Sequence, residues 1–259
     1  MTNNNRLIGS VQRAFDILNL FNHQVVELGI TEIAKALDLH KSTASGLVYT
    51  LEANHYLEQN PDNRKYRLGL KLIERSTIVL GQLEIRKVAT PYLNALRDWS
   101  QESINLAIRD GHEVVYVERM LSEQVLSFRN EIGKRGYVHS TALGKAILAQ
   151  MPHSEARAIL NAYAREAFTP HTLTSIEALM DDLAHTRERG YALDDEENEL
   201  GGRCVAAPIL NHQGDALAAL SISVPLPRIP RERIPYFGEK VKAVAQEISE
   251  RFGYRMHLS

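Results

Sequence analysis

The chain has 259 residues, enough for one large or two ordinary domains, with 44% hydrophobic and 24% charged residues and a formal net charge of −2. That balance excludes a bulk basic signature, and no apolar run approaches the length of a bilayer-spanning helix. The single cysteine, Cys204, excludes an intramolecular disulfide and fits a reducing cytoplasm.

The opening "MTNNNRLIGSVQ" lacks the apolar core of a signal peptide, so export is not expected. Ser10 then reads as an N-cap, and Val11, Ala14, Phe15, Leu18 and Phe21 follow at the spacing of one helix face. After a loop, a second helix is predicted from Thr31, with Ile30, Ile33, Ala34 and Leu37 as its stripe. Asp38-Leu39-His40 is a connection of helix-turn-helix length. A third helix carries Ala44, Leu47, Val48 and Leu51 on one side and Ser42, Ser45, Gly46 and Tyr49 on the other. Its front is small, polar and opened by Lys41. Small hydroxyl side chains there can face base edges and let a backbone approach closely, and a helix N-terminus favours phosphate. Two alternating runs around Asn60-Pro61-Asp62-Asn63 predict a hairpin, a wing, with Arg64, Lys65 and Arg67 at or near its tip. Residues 1–70 hold seven Lys/Arg and seven Asp/Glu, so the cations matter by placement and not by sum. A module that binds only protein would share this pattern of three helices and a hairpin.

The stretch "LGLKLIERSTIVLGQLEIRKVATPYLNALRDWSQE" is helical in pattern, interrupted at Gly81 and Pro91. Leu70, Ile73 and the Ile78-Val79-Leu80 group suit a dimer contact, and also packing on the chain's own second domain. From Ser103 two strand-like runs flank Asp110-Gly111, a hairpin signal. "HSTALGKAILAQM" turns into a helix, and Ser154 to Leu160 and Ser175 to Arg189 read as further helices, the latter stopped by Gly190. Two apolar strands follow, roughly 203–210 and 216–224, and Ile234 to Phe252 closes the chain as an amphipathic helix. Strands mixed with helices and antiparallel hairpins give an α+β class. No Walker loop, dinucleotide fingerprint or zinc-spaced Cys/His cluster occurs, so neither a cofactor nor a metal is expected.

With these residues in view, the chain resembles the IclR family of bacterial transcription regulators from about Leu7 to Phe252. The resemblance is most specific in "GYALDDEENELGGRCVAAPILN". There Gly190 is followed after three residues by Asp194, after two more by Glu197 and after six more by Cys204, then Val205, Ala206, Ile209 and Asn211. Leu210 departs from the family's aromatic or His. In "LHKSTASGLVYTLEANHYL", His40 stands where Pro is common and Gly46 where Arg is common, so the family's long cation is missing from this helix.

The resemblance implies a winged helix-turn-helix over 1–70, a linker and dimerisation region over 71–100, and a GAF-like α/β effector-binding domain over 101–259. It implies a cytoplasmic regulator, a repressor of a catabolic operon, that binds a palindrome of double-stranded DNA as a homodimer or homotetramer. A small carboxylate would be its effector; the alternative is an activator responding to an aromatic acid. The DNA contacts expected are Lys41, Ser42, Thr43, Ser45, Gly46, Tyr49, Arg64 and Lys65. The effector contacts carried over are Asp194, Cys204, Ser221 and Ser223, with the main-chain amides of Ala142 and Leu143.

Residue chemistry supports that pocket separately. Ser221 and Ser223 lie two apart on a strand and so share a side, helix-terminal amides attract a carboxylate, and Cys204 adds a weak donor. Asp194 beside an anion could accept from a ligand hydroxyl, accept from a serine, or be protonated. Outside the signature, Cys204 would read as core, the serines as solvent-facing and "DDEENE" as an acidic loop. A hydrolase using Cys204 or Ser221 would need a positioned base. His212 and His139 complete no recognisable nucleophile motif, so no catalytic residue and no enzyme activity are expected.

Overall fold

The computed structural model describes residues 7–128 and 131–255 and divides into two compact units, Met1–Gln82 and Leu83–Ser259. In the first unit, α1 (Gly9–Asn19), α2 (Ile30–Ala36) and α3 (Lys41–Ala53) pack around Ile17, Phe21, Ile33, Ala34, Ala44, Val48 and Leu51. Three apolar stripes at helical spacing bury one another this way, and the polar faces are left outside. Ser10 lies inside α1 and is not its cap; the helix starts one residue earlier, after Ile8. α2 begins at Ile30, where the Glu32 carboxylate accepts from the Gly29 N–H at 2.6 Å. The turn into α3 runs over 37–40, and Asp38 takes its left-handed position (φ 51°), which a short polar side chain tolerates.

β1 (Leu57–Gln59) and β2 (Tyr66–Leu68) pair antiparallel, and Tyr66 also bridges Leu28, so the wing is tied back to the loop between α1 and α2. α4 (Lys71–Gln82) follows with no buried residue. The interruptions expected at Gly81 and Pro91 do not occur there, and the one break in this stretch falls at Leu83. Gly81 lies in α4, and Pro91 lies on the exposed side of α5 (Glu84–Ser100), where the helix tolerates it.

The second unit is built on a six-stranded antiparallel sheet in the order β5-β4-β3-β8-β7-β6. Its strands are β3 (Ser103–Asp110), β4 (Glu113–Met120), β5 (Arg135–Tyr137), β6 (Ala192–Asp195), β7 (Gly202–Leu210) and β8 (Ala216–Pro225). One face carries Ile104, Leu106, Val205, Leu220 and Ile222 against α5 and α9 (Ile234–Arg251). The other is covered in part by α6 (Ala142–Leu148), backed by α7 (His153–Asn161) and α8 (Ile176–Arg189). The hairpin at Gly111 and the long β7–β8 pair stand where the turn residues put them. The short edge strands β5 and β6 carried no sequence signal. Gly144 sits where a Cβ would come within 2.3 Å of the Val138 Cα, so only glycine lets α6 dock this closely on the segment before it.

Candidate functional site

Each unit carries a candidate surface. In the first, Lys41, Ser42, Thr43, Gly46 and Tyr49 are exposed on α3, Tyr49 by 70%, and Ser45 is half-buried. His40 caps α3 through its backbone alone, so the first-turn N–H groups have no side-chain acceptor among the described residues. Around Gly46 a Cβ would meet no atom within 4 Å. The protein itself therefore gives no reason for glycine at that position.

The wing is held by acids of its own unit. Glu27 accepts from the side-chain amides of Asn60 and Asn63 at 2.9 and 2.7 Å, bonds that hold its carboxyl below the usual range. Lys65 lies 3.1 Å from Glu32, and Arg67 lies 3.1 Å from Glu58. Arg64, left-handed at φ 61°, is exposed at the turn and makes no ion pair among the described residues. Of the two expected wing contacts, Arg64 is thus free and Lys65 has an internal partner. Glu27 and Glu32 were not singled out from sequence, because only the folded loop brings them to the hairpin.

In the second unit the strand register brings the other expected residues together. Asp194, Cys204, Ser223 and Ser103 stand directly across from one another on β6, β7, β8 and β3. Ser221 and Asn105 occupy the next row on the same face. The Asn105 amide donates to Ser223 Oγ at 3.0 Å and reaches Ser221 Oγ at 3.5 Å, and the Cys204 thiol donates to Ser223 Oγ at 3.2 Å. Both serines thus receive hydrogen bonds and keep a hydroxyl proton to give. At the start of α6, Thr141 Oγ1 accepts from the Gly144 N–H, while the amides of Ala142 and Leu143 have no acceptor among the described residues. Sequence reasoning missed Asn105; a lone amide in the middle of an apolar strand was the available signal.

Asp194 is 6% exposed, and its Oδ1 accepts from the N–H groups of Glu197 and Asn198 at 2.8 and 3.2 Å. Burial, then the neighbouring Glu197 charge, pushes its carboxyl up to about 7. Burial likewise pushes the Cys204 thiol far up, so it stays protonated and is a poor nucleophile. His139 is buried with Nε2 against the Glu166 carbonyl and Nδ1 against the Tyr163 hydroxyl. A carbonyl only accepts, so Nε2 carries the proton, and burial keeps the ring's pKa below its usual value. Among the described residues, no histidine or carboxylate is hydrogen-bonded to the Cys204 thiol or to the Ser221 and Ser223 hydroxyls.

Both parts of the chain match models of one family. Residues 10–61 match the family model described as the IclR helix-turn-helix domain, and residues 77–250 match that of the bacterial transcriptional regulator IclR C-terminal domain. The chain belongs to the IclR family of transcriptional regulators. It is similar to the HTH-type transcriptional regulator XynR of Escherichia coli strain K12, 44% identical over 96% of this chain and 98% of that one. The crystal structure of the Thermotoga maritima IclR superposes with a TM-score of 0.78 at 33% identity, covering 95% of this chain and 99% of that chain. An IclR homolog from Microbacterium hydrocarbonoxydans, solved in complex with 4-hydroxybenzoate, gives a TM-score of 0.79 at 27% identity over 94% of this chain and 99% of that chain. As an IclR-family regulator the protein pairs a DNA-binding helix-turn-helix with a mixed helix-and-sheet C-terminal domain. Within the family signature, Asp194 and Glu197 are buried in the fold and do not form a solvated acidic loop.

Proposed function

We propose that this protein is a cytoplasmic, ligand-responsive repressor of a catabolic operon, released from a palindromic operator by a small carboxylic acid. The observation that carries the effector reading is the set of donors on one buried face. Ser221 and Ser223, oriented by Asn105 and, for Ser223, by the Cys204 thiol, keep hydroxyl protons to offer, the two α6 amides have no acceptor among the described residues, and no fixed cation is needed to meet a carboxylate. Asp194, when protonated, adds a further donor. The relative bound to 4-hydroxybenzoate makes an aromatic acid a member of the same test panel.

Residues 1–70 would read DNA, with Ser42, Thr43, Ser45, Gly46 and Tyr49 of α3 in the major groove and Lys41, Arg64 and Lys65 near phosphates. Residues 71–100 would carry the subunit contact and 101–259 the effector site. Dimerisation is supported by Leu70, Ile73, Ile78 and Val79, all exposed, and by a groove of about 530 Å³ between Phe15 and Leu18 of α1 and Leu47 and Leu51 of α3.

The test begins with repeated selection of the purified protein on a random duplex pool at near-physiological salt. An enriched inverted repeat supports a two-fold dimer on a specific operator, and that duplex then reports release by individual carboxylic acids. No enrichment, with or without a mixed acid pool, refutes the reading.

A further inference from the structure

Lys145 is 1% exposed, inside the otherwise apolar run of α6. Its ammonium lies 2.5 Å from Glu197 Oε1 and 2.9 Å from Asp182 Oδ2 of α8. Arg189 approaches Asp182 from the outer side at 3.7 Å. A buried cation is tolerated only where anions meet it, and here one cation faces two carboxylates. Glu197 also belongs to the turn that holds Asp194, to which it gives its N–H. It therefore touches Asp194 through its backbone and Lys145 through its carboxylate.

This arrangement puts Asp194, on the face proposed to receive an organic anion, beside Glu197, a carboxylate that shares its buried cation with Asp182. Neighbouring carboxylates in a buried site do not all ionise. We infer that Glu197, pinned by Lys145, is a positioning residue that makes the site take up an organic acid together with one proton, held on the Asp194 carboxyl. The inference rests on the effector reading above. Solvent supplies the proton, no covalent bond of protein or ligand changes, and the sum is the binding of the neutral acid.

The charged and titratable groups around Asp194 leave Glu197 as the discriminating one. Lys145 of α6 acts in the opposite sense to Glu197 and is shared with Asp182 and, behind it, Arg189. The Cys204 thiol of β7 and the Tyr116 phenol of β4 are both pushed up by burial and stay neutral. Glu199 and Lys134 act on Cys204.

The experiment is an infrared pH titration of the protonated-carboxyl band in the full-length protein, with and without acetate as the probe. The wild type is expected to lose a band on passing upward through pH about 7 that Asp194→Asn lacks. Glu197→Gln keeps the N–H to Asp194 and leaves Lys145 its Asp182 partner; it should move that loss down by roughly one pH unit or more. Asp182→Asn loosens the same cation without touching the Asp194 turn and should leave the titration in place. Saturating acetate should move the wild-type titration upward, and Ser221→Ala with Ser223→Ala should remove that movement. Calorimetry of wild type with acetate at pH 8, in buffers of different ionisation enthalpy, should report uptake of about one proton and requires no variant to fold.

A titration unmoved by Glu197→Gln, or moved equally by Asp182→Asn, overturns the role of Glu197 and leaves the effector reading standing if acetate still acts. A titration that follows Glu197→Gln but ignores acetate overturns the effector reading, and the proton coupling with it. No proton uptake on binding overturns the coupling alone.

Discussion

Gly46 lies inside the continuous third helix, where the protein leaves open space around it. Replacing it with Ala should stabilise the N-terminal unit by up to about 1 kcal/mol in urea unfolding, because a mid-helix glycine loses backbone entropy on folding. The same change should weaken operator binding if the backbone lies against DNA; undiminished binding would place the contact elsewhere. Arg64 and Lys65 separate in the same way. Arg64→Ala should flatten the salt dependence of DNA affinity by about one unit. Lys65→Ala should flatten it less, because its ammonium is shared with Glu32. Equal slopes would show that DNA displaces the Glu32 pair. Asp194 makes a third prediction. Its folded pKa lies above the ordinary carboxylate value, so between pH about 4 and 7 the native state keeps a proton that the unfolded chain has shed. Stability from this group is full below pH 4 and falls as pH rises through 7. His139, lowered by burial, acts with the opposite sign in that window. The difference between wild type and Asp194→Asn therefore isolates the carboxyl, and the variant's denaturation midpoint should decline less steeply with pH.

At the scale of elements, α6 is the least tolerant. Gly144→Ala would drive a methyl group into the backbone of Val138 and should cost about 1–3 kcal/mol in thermal or urea unfolding. Most elements were legible from periodicity. The stripes of α1 to α3, the Asp110-Gly111 hairpin, the β7–β8 pair and the closing helix stand within a residue or two of their expected bounds. Signals failed where structure depends on distant partners. β5 and β6 exist only as edges of a sheet already formed, and nothing local marks them. The linker break at Leu83 passed over both Gly81 and Pro91, which tertiary context accommodates inside helices. At the candidate site, Ser221 and Ser223 followed from strand alternation alone. Asn105 and Lys145 did not, because their meaning lies in residues more than fifty positions away, Ser221 and Ser223 for the amide and Glu197 for the ammonium.

For the whole molecule, the helix-turn-helix and the proposed effector face lie in separate units of one chain. Replacing Ser221 and Ser223 together by Ala should abolish release of operator DNA by the effector while leaving effector-free DNA affinity within about twofold, since allosteric coupling requires the ligand to distinguish two states. A double variant that still responds would remove these hydroxyls from the effector site.

The strand alternation of β3 and β8 has an evolutionary consequence. Asn105, Ser221 and Ser223 project to one side, while Ile104, Leu106, Leu220 and Ile222 hold the core on the other. Exchanging a side chain on the polar face leaves the ladder and the opposite core as they were. New chemical preferences are therefore within reach of one or two codon changes at 105, 204, 221 or 223. On the proposed effector reading, descendants of this gene would drift between inducers while the strand ladder and the core behind it stay unaltered.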